Sequence, residues 1–397
     1  MITLQRRAPG VLALLSLPLL LLGLSRAQAD QGMTGFADPA FQQVWQRTDL
    51  PVANHTVVRT WFWGPAPNSP GLLEPNAESP GGYRLVQYFD KSRMELNNPQ
   101  ANPHDPFYVT NGLLTVELIS GRMQVGAAQY VTRYAACIPA TGDPGDTNAP
   151  TYAALQHVSN TTLGDHFADS RMGQAVTATI DHAGTVGNDP ARAMATTHIA
   201  YFDSTTKHNI PQVFWTFLNQ TGPVSENGTI TTQQLINPWF YASGRPISEA
   251  YWTRALIRGQ FTDVLLQMYE RRALTYVPTN VPGFQVEMAN IGQHYYDWRY
   301  RGAGGCGGTP EPSAQPTVAA TETAGPPRTP APKPSGTEPP TSTVVVPTHT
   351  PVPRPPIVTA TPTLSPCEIC TPVASPTPTI SPCEICTPPP ATATPPR

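Results

Sequence analysis

The sequence predicts an α+β fold that is mainly β, with two related units that are each a short helix followed by a β-meander, and then a disordered Pro/Thr-rich tail. Three observations predict it. Residues 85–96 and 265–276 agree in kind at successive positions, Leu with Leu, Gln with Gln and acid with acid. Residues 210–218 have the apolar spacing of a helix. Pro and Thr dominate residues 309–397. A sequence block that occurs twice indicates a structural unit that occurs twice.

The first 29 residues predict export. Arg6 and Arg7 precede an apolar run over residues 11–22, and small residues at 27–29 mark a cleavage site before Asp30. This pattern is typical of a secretory signal peptide, so segment 1–29 is expected to be removed. The apolar run is too short to favour a permanent transmembrane helix, and no second long run follows it. We therefore expect a secreted, extracellular protein without a transmembrane segment in its mature chain. Association of the secreted protein with the cell surface is one alternative.

The charge balance argues against nucleic acid as a partner. The chain has 24 Lys and Arg against 27 Asp and Glu, and removal of Arg6, Arg7 and Arg26 with the signal leaves 21 against 27. A nucleic-acid-binding face would need an excess of basic residues. All seven Trp lie before residue 299, whereas more than half of the 48 Pro lie in residues 302–397. The aromatic part, residues 30–301, is therefore the expected folded head, and residues 302–397 are an extended stalk.

The first unit is expected over residues 30–123. Phe41, Val44 and Trp45 have helical spacing, which predicts a helix over 39–47. A loop rich in Pro and Gly over 65–82 leads to a hairpin with strands 84–89 and 93–96. The apolar run 113–119 predicts a further strand, which Gly121 closes.

Residues 124–205 are expected to connect the two units. Strands are predicted over 175–180 and 197–202, with a hairpin turn at 181–184. Nothing in this segment repeats its flanks, so it is either an inserted hairpin or the seam between the two copies.

The second unit is expected over residues 206–301. Its helix, predicted over 210–218, has Asn209 as the expected N-cap. Five landmarks then recur in the order of the first unit, and the order is what favours duplication. They are Trp215 with Trp45, residues 223–224 with 51–52, residues 239–241 with 61–63, the hairpin 264–277 with the hairpin 84–96, and residues 286–288 and Gly292 with residues 116–118 and Gly121.

Part of the second unit resembles a known repeat. The phrase Tyr241-Ala-Ser-Gly-Arg-Pro-Ile-Ser-Glu249, followed by Gln267-Met-Tyr-Glu-Arg271, resembles the bacterial Leu-Gly-Phe-Pro (LGFP) repeat. The phrases at 251–254 and 294–300 are similar to those of uncharacterised exported bacterial proteins. The first unit lacks the Gly-x-Pro-x-Ser-Glu phrase. The resemblance implies a module associated with the cell wall or cell surface, and it carries over no catalytic residues.

The tail holds four of the six cysteines in a short repeat, Cys367 with Cys370 and Cys383 with Cys386. Two Cys-x-x-Cys pairs are one form of zinc site. However, the Pro and Ser residues between the pairs are not suited to form a zinc knuckle, and an exported chain meets oxidising conditions that favour disulfides. Disulfides within or between chains are the expected state, and a disulfide-linked oligomer is one consequence. Cys137 and Cys306 remain, and pair with each other if their segments meet. No metal and no cofactor is predicted.

Candidate catalytic groups are few. Glu249 with Tyr251 and His294 forms an acid–base cluster if the fold brings them together, and Glu249 with Glu287 is the best carboxylate pair for glycan hydrolysis. The alternative is that Glu249 pairs with Arg254 or Arg271. Asp165, His166 and Asp169 resemble a metal set, although a polar loop explains them as well.

The aromatic residues provide the candidate ligand contacts. Trp61, Trp63, Trp239 and Trp252 are expected either to stack on sugar rings or to fill the core, and strand alternation would place Trp61 and Trp63 on one face.

Three functions follow from these features. The first is a non-catalytic module that binds a cell-wall polysaccharide or a surface protein. The second is a cell-wall-acting hydrolase. The third is a structural subunit that is cross-linked through the tail cysteines.

Overall fold

The computed structural model describes residues 35–162, 166–302 and 304–306, together with the backbone of residues 317–318. The predicted signal peptide and the tail cysteines lie outside these residues. The described chain is mainly β with some helices, which confirms the predicted α+β class at that level. No helix in the described part of the chain has the length and apolar character needed to cross a membrane.

Six α-helices are present in the described residues. They are α1 Pro39–Thr48, α2 Leu50–Ala53, α3 Leu114–Ser120, α4 Gln212–Leu218, α5 Phe240–Ser243 and α6 Ile291–Tyr300. Helix α1 begins as the sequence predicts, because the Asp38 carboxylate accepts from the Ala40 N–H at 2.8 Å and Pro39 occupies the first turn. Phe41 and Trp45 on its buried face join the core.

The strands form two larger sheets and three two-stranded ribbons. The first sheet has the order β17-β1-β2-β3-β4 and the second the order β16-β15-β14-β13-β7-β8. The ribbons are β5–β6, β9–β10 and β11–β12. The strands are β1 Leu72–Pro75, β2 Tyr83–Phe89, β3 Ser92–Leu96, β4 Thr110–Asn111, β5 Arg122–Gln124, β6 Tyr130–Thr132, β7 Ala178–Ile180, β8 Val186–Asn188, β9 Ile199–Asp203, β10 His208–Pro211, β11 Thr221–Glu226, β12 Thr229–Gln234, β13 Tyr251–Ile257, β14 Gln260–Met268, β15 Ala273–Tyr276, β16 Val286–Met288 and β17 Thr317–Val318.

The hairpins β2–β3 and β14–β15 are where the sequence predicts them, and their turns meet a helix from the other half of the chain. The Gln293 N–H in α6 donates to the Asp90 carbonyl in the β2–β3 turn at 3.2 Å. The Val116 N–H in α3 donates to the Glu270 carbonyl in the β14–β15 turn at 3.3 Å. Each helix that follows one sheet therefore contacts the hairpin of the other sheet.

A buried glutamine and a serine brace each hairpin in the same way. The Gln87 side chain donates to the Ser69 carbonyl at 3.0 Å, and the Gln267 side chain donates to the Ser248 carbonyl at 2.9 Å. In each case the serine hydroxyl accepts from the N–H of the residue after the glutamine, at 3.0 and 3.1 Å. Both glutamines are fully buried, so these bonds replace water at the amides.

The hydrophobic core has two large clusters, and both draw residues from the first and second halves of the chain. One contains Phe41 and Phe89 with Phe214 and Tyr269. The other contains Tyr88 and Leu114 with Met268 and Trp298. Neither cluster is confined to one of the predicted units 30–123 and 206–301, so the halves are packed together rather than separately.

The predicted strand over 113–119 is wrong, because these residues form helix α3. Nearly every residue of α3 is buried, so the segment has no polar face to reveal a helical period. Gly121 ends the helix in the left-handed conformation (φ 71°), and its N–H donates to the Glu117 carbonyl at 2.8 Å. The landmark that pairs residues 116–118 with 286–288 thus matches a helix with strand β16.

Other elements also differ from the sequence predictions. Strand β1 lies inside the predicted loop 65–82, because Leu72 is buried and pairs with β2. Helix α4 begins at Gln212, not at residue 210, because Ile210 lies in strand β10. Asn209 does not cap α4, and its side chain binds Glu249 instead. The aromatic segment 294–300, for which no helix was predicted, forms most of α6.

Candidate functional site

Four aromatic rings form a half-buried group on the surface, which we call the aromatic shelf: Tyr201, Trp215, Trp239 and Phe240. Tyr201 and Trp215 stack with ring centroids 4.0 Å apart and an interplanar angle of 2°. Trp239 meets Trp215 edge-on at 5.5 Å, and Phe240 meets Trp239 edge-on at 5.5 Å. Each ring keeps part of its area in contact with solvent, so the shelf can accept a flat apolar surface.

Arg245 supports one end of the shelf. Its guanidinium carbon lies 4.7 Å from the ring centroid of Phe240. Its Nη1 lies 2.5 Å from an oxygen of Asp203, whose side chain is fully buried at the end of β9. The other oxygen of Asp203 accepts from the Thr205 and Thr206 N–H groups at 2.9 and 3.0 Å. The charged end of the shelf is therefore fixed by a buried carboxylate.

A cleft of about 320 Å³ runs along α4, and we call it the α4 cleft. Its lining contains no carboxylate: Arg59, Thr60, Thr196, Gln212, Val213, Thr216, Phe217, Gln220, Gly283, Gln285 and Val286. Three polar atoms in this lining are buried without a hydrogen-bond partner within the described structure, namely Arg59 Nε, Thr60 Oγ1 and Gln220 Nε2. An unpaired buried polar group costs about 1–3 kcal/mol, so a ligand that pairs with these atoms would recover part of that cost.

The shelf and the α4 cleft flank the same helix. Trp215 belongs to the shelf, whereas Val213 and Phe217 line the cleft. The exposed residues Gln212 and Thr216 also line the cleft, and the Gln212 amide donates to the Thr216 hydroxyl at 2.7 Å. Helix α4 therefore contributes one residue to the aromatic shelf and several to the amide- and hydroxyl-lined cleft.

The structure places the four predicted tryptophans in different environments. Trp63 and Trp252 are 1% and 3% exposed, so they are core side chains that no ligand can reach. Their indole N–H groups donate to Thr48 Oγ1 at 2.9 Å and to the Val176 carbonyl at 3.0 Å. Trp61 is half-buried, and no strand forms at 61–63, so the expected shared face does not exist.

Glu249 is held by partners that differ from the expected Arg254 and Arg271. Its carboxylate accepts from the Asn209 N–H and side chain, each at 3.0 Å, lies 3.2 Å from His208 Nδ1, and forms an ion pair with Arg171. Burial would raise the pKa of Glu249, but hydrogen bonds from His208 and Asn209 keep it below its usual range. Glu249 therefore ties β10 to the start of β13 as an ionised carboxylate.

His294 and Glu287 do share a cavity, of about 250 Å³, whose lining also includes Lys91, Asn290 and Asp143. The Tyr152 hydroxyl lies 3.0 Å from His294 Nδ1. Burial lowers the pKa of His294 to about 4, so the ring is neutral at pH 7. Glu249 lines a different cavity, beside Arg171, so the predicted Glu249–Glu287 pair is not brought into one cleft.

Lys91 is the residue of this cavity that the sequence analysis missed. It lies in the β2–β3 turn, where its position in the hairpin corresponds to Arg271 in the other copy. Its Nζ donates to the Met288 carbonyl at 2.6 Å and to Asn290 Oδ1 at 3.2 Å. Only the match between the two hairpins could have drawn attention to it.

Six buried charges beside this region are structural. They are Glu74, Arg84, Arg93, Glu95, Glu117 and Arg299, each at most 4% exposed. Burial would raise the pKa of Glu74, but the charges of Arg299, Arg93 and Arg84 outweigh it and lower the pKa to about 2. The ion pairs among these groups hold β1, β2, β3, α3 and α6 together.

Metal binding has no support in the described residues, where no group of three or more His, Cys, Asp or Glu side chains could hold an ion. Of the predicted set, Asp165 lies outside those residues, whereas His166 and Asp169 lie within them. Cys137 and Cys306 form a disulfide with Cα atoms 5.1 Å apart.

Comparisons with protein-family models, with curated proteins and with solved structures gave no match to this chain. The LGFP resemblance therefore stays a prediction, and the function is argued from the sites alone.

Proposed function

We propose that the protein is a secreted, non-catalytic cell-surface module that binds cell-wall polysaccharide along α4 and is displayed on its Pro/Thr-rich stalk. The observation that carries this proposal is the aromatic shelf beside a cleft that contains unpaired buried polar atoms. Sugar rings present flat apolar faces that stack on aromatic side chains, and their hydroxyl and acetamido groups pair with amides and hydroxyls. Because the cleft lining contains Arg59 and no carboxylate, it suits a neutral or anionic polymer better than a cationic one.

A sedimentation assay with insoluble cell-wall polysaccharide and the purified full chain tests this function. Trp239→Ala should lower the bound fraction at least several-fold, because stacking on one aromatic ring contributes about 1 kcal/mol or more. Phe261→Ala is the matched control, since Phe261 is 55% exposed and lies at the β13–β14 turn, outside the shelf. Equal retention of both variants, or no retention of the unaltered chain, would refute the proposal.

A protein partner is the other occupant this surface could take. It would be indicated if whole cells retain the chain, polysaccharide freed of protein does not, and Trp239→Ala still abolishes retention.

A hydrolase is the second candidate, and the cavity that contains Glu287, His294 and Lys91 favours it. Release of reducing sugar or peptide from wall preparations would be its signature. If Glu287→Gln and Glu249→Gln leave any such release unchanged, neither carboxylate is catalytic. Because Glu249 and Glu287 line separate cavities, this pair does not supply the two-carboxylate geometry of glycoside hydrolysis.

A structural subunit cross-linked through Cys367, Cys370, Cys383 and Cys386 is the third candidate. It predicts higher-mass species on a non-reducing gel that collapse to the monomer on reduction. A monomer under both conditions would exclude it.

We also infer that the head arose by duplication of one helix-and-meander unit. Several contacts support this inference, because their residues recur at an offset of about 180 positions. The Lys91 N–H donates to the Trp63 carbonyl at 3.0 Å, and the Arg271 N–H donates to the Ser243 carbonyl at 2.9 Å. The reciprocal helix contacts and the paired Gln–Ser braces described above have nearly the same offset.

The same contacts indicate how the two units correspond. Isolated bridges join Pro67 to Phe89 and Pro246 to Tyr269, so residues 64–69 correspond to residues 244–248. The first unit therefore has a Gly, Pro and Ser phrase of its own with one residue added. In this correspondence Trp63 matches Ser243. This correspondence therefore replaces the earlier match of residues 61–63 with residues 239–241.

A further inference from the structure

A lysine and a carboxamide meet where the two halves of the head contact each other. Lys91 lies in the turn of the β2–β3 hairpin, and Asn290 lies between β16 and α6, 199 residues further along the chain. The lysine Nζ is 3.2 Å from Asn290 Oδ1. The carboxamide carbon is one bond beyond that oxygen, and the exposed Asn290 side chain has room to turn this carbon towards the amine, to the separation of about 3–3.5 Å that a near-attack arrangement requires.

The surroundings of Lys91 favour the reactive form of the amine. Lys91 is only 9% exposed, although its side chain ends beside a polar cavity. Burial lowers the pKa of Lys91, and the charge of Glu287 opposes this only in part. A lowered pKa makes the neutral amine, the form whose lone pair is nucleophilic, easier to reach.

A carboxylate that could carry protons lines the same cavity. Glu287 is half-buried on β16, three residues before Asn290. Asp90 also lies near the amine, but one of its carboxylate oxygens accepts from Asn68 at 2.7 Å and from Gln293 at 2.5 Å. Glu287 is therefore the better candidate for moving a proton between the amine and the amide.

We propose that the side chains of Lys91 and Asn290 condense into an intramolecular isopeptide bond. Transfer of a proton from the Lys91 ammonium to Glu287 leaves a neutral amine, whose lone pair attacks Asn290 Cγ. In the tetrahedral intermediate Glu287 passes this proton to Nδ2, and the attacking nitrogen then releases its own extra proton to Glu287. The Cγ–Nδ2 bond breaks as the carbonyl re-forms, and Nδ2 leaves as ammonia, which takes the proton from Glu287 and departs as ammonium. One ammonium and one carboxamide become one secondary amide and one ammonium, and Glu287 is regenerated as the carboxylate.

The position of the bond suits this chemistry and gives it a purpose. Asn290 is exposed, so ammonia has a path to solvent. The bond would join the hairpin of the first sheet to the start of α6, which already contact each other through backbone hydrogen bonds. It would restrict the unfolded chain by closing a long loop, as a disulfide does. The equivalent turn carries Arg271, whose guanidinium does not form amides, so a single bond is expected.

Peptide mass spectrometry on the full chain tests the proposal. After reduction and alkylation, digestion should give a branched species in which the peptide with Lys91 is joined to the peptide with Asn290. Its mass should be lower than the sum of the two by one ammonia, and cleavage after Lys91 should be absent. Lys91→Arg and Asn290→Ala should each remove the branched species, while an ammonia loss at another asparagine would persist in both variants.

The unaltered chain decides the question without relying on the folding of a variant. If its digest contains free Lys91 and intact Asn290 and no branched species, the proposal is overturned. Glu287→Gln tests the proton carrier: the branched species should fall at least tenfold, while binding to polysaccharide stays unchanged. An undiminished branched species in that variant would overturn the role of Glu287. Loss of polysaccharide binding by Trp239→Ala would have no effect on the bond, so the two proposals fail separately.

Discussion

Replacement of Glu74 by Gln should destabilise the head strongly, because Glu74 lies at the centre of the buried charges. Its Oε2 is 3.0 Å from Arg299, 3.2 Å from Arg93 and 3.8 Å from Arg84. Its Oε1 accepts from the hydroxyls of Tyr88 at 2.6 Å and Tyr300 at 2.7 Å. A glutamine keeps an acceptor for the tyrosines but leaves three buried guanidinium groups with one carboxylate fewer.

The magnitude follows from two independent arguments. Lowering of the Glu74 pKa from 4.5 to about 2 corresponds to roughly 3 kcal/mol of stabilisation at neutral pH. Removal of one partner from a buried ion pair costs about 3–5 kcal/mol. We expect Glu74→Gln to lower the free energy of unfolding by about 3 kcal/mol at pH 7, measured by urea unfolding with the disulfide intact.

The pH dependence of this difference supplies a second readout. Because the folded-state pKa of Glu74 is depressed, its contribution is fully present above pH 4.5 and is lost as the pH falls through about 2. The difference between the unaltered chain and Glu74→Gln should therefore shrink as the pH is lowered from 4.5 towards 2.

The matched control is Glu226→Gln, which removes a surface carboxylate whose ion pair with Arg47, at 3.3 Å, is partly exposed. That change should cost less than about 1 kcal/mol. If Glu74→Gln costs no more than Glu226→Gln, the view that the buried charges hold the head together is refuted.

Two other substitutions test the packing and the neutral histidine. Gly292→Ala should lower the free energy of unfolding in urea by about 3 kcal/mol or more, because the added Cβ would lie 2.0 Å from the Phe89 carbonyl oxygen. Gly35→Ala is the control, since a Cβ at Gly35 would have nothing within 4 Å. Similar stabilities of the two variants would contradict the close packing of α6. His294→Gln should flatten the loss of stability between pH 6.5 and 4, because protonation in this window favours the unfolded chain when the folded-state pKa is about 4. Exposed His55→Gln should leave the slope unchanged, and equal slopes for both variants would count against the buried neutral ring.

The sequence was informative where structure is local. The hairpins β2–β3 and β14–β15 were predicted, because alternating side chains and a short polar turn specify a hairpin without help from distant residues. Helix α1 was predicted for the same reason, since its cap and its apolar spacing both lie within residues 38–48. Trp239 was named as a candidate ligand contact and is half-buried, but its neighbours in the shelf, Tyr201 and Trp215, come from β9 and α4.

The sequence was uninformative where the surroundings come from elsewhere in the chain. Helix α3 carries β-branched and apolar residues because it is buried on nearly all sides, and Glu117 is tolerated there only through Arg93 and the Tyr295 hydroxyl. Helix α6 is rich in tyrosine because much of its surface is buried in the core. The cavity at Lys91 depends on residues that are 199 positions apart, and no periodic pattern encodes such a contact.

The disulfide between Cys137 and Cys306 has a mechanical consequence. Once the short pairing of β17 with β1 is lost, tension on the chain beyond residue 306 reaches Cys306, and the covalent link passes it to Cys137, 169 residues earlier in the sequence. Helix α6 ends at Tyr300, just before this anchor, so a pull cannot peel α6 from the head turn by turn while the link is intact. Under load from the tail, residues 137–306 should therefore not unravel from their C-terminal end while the disulfide is intact.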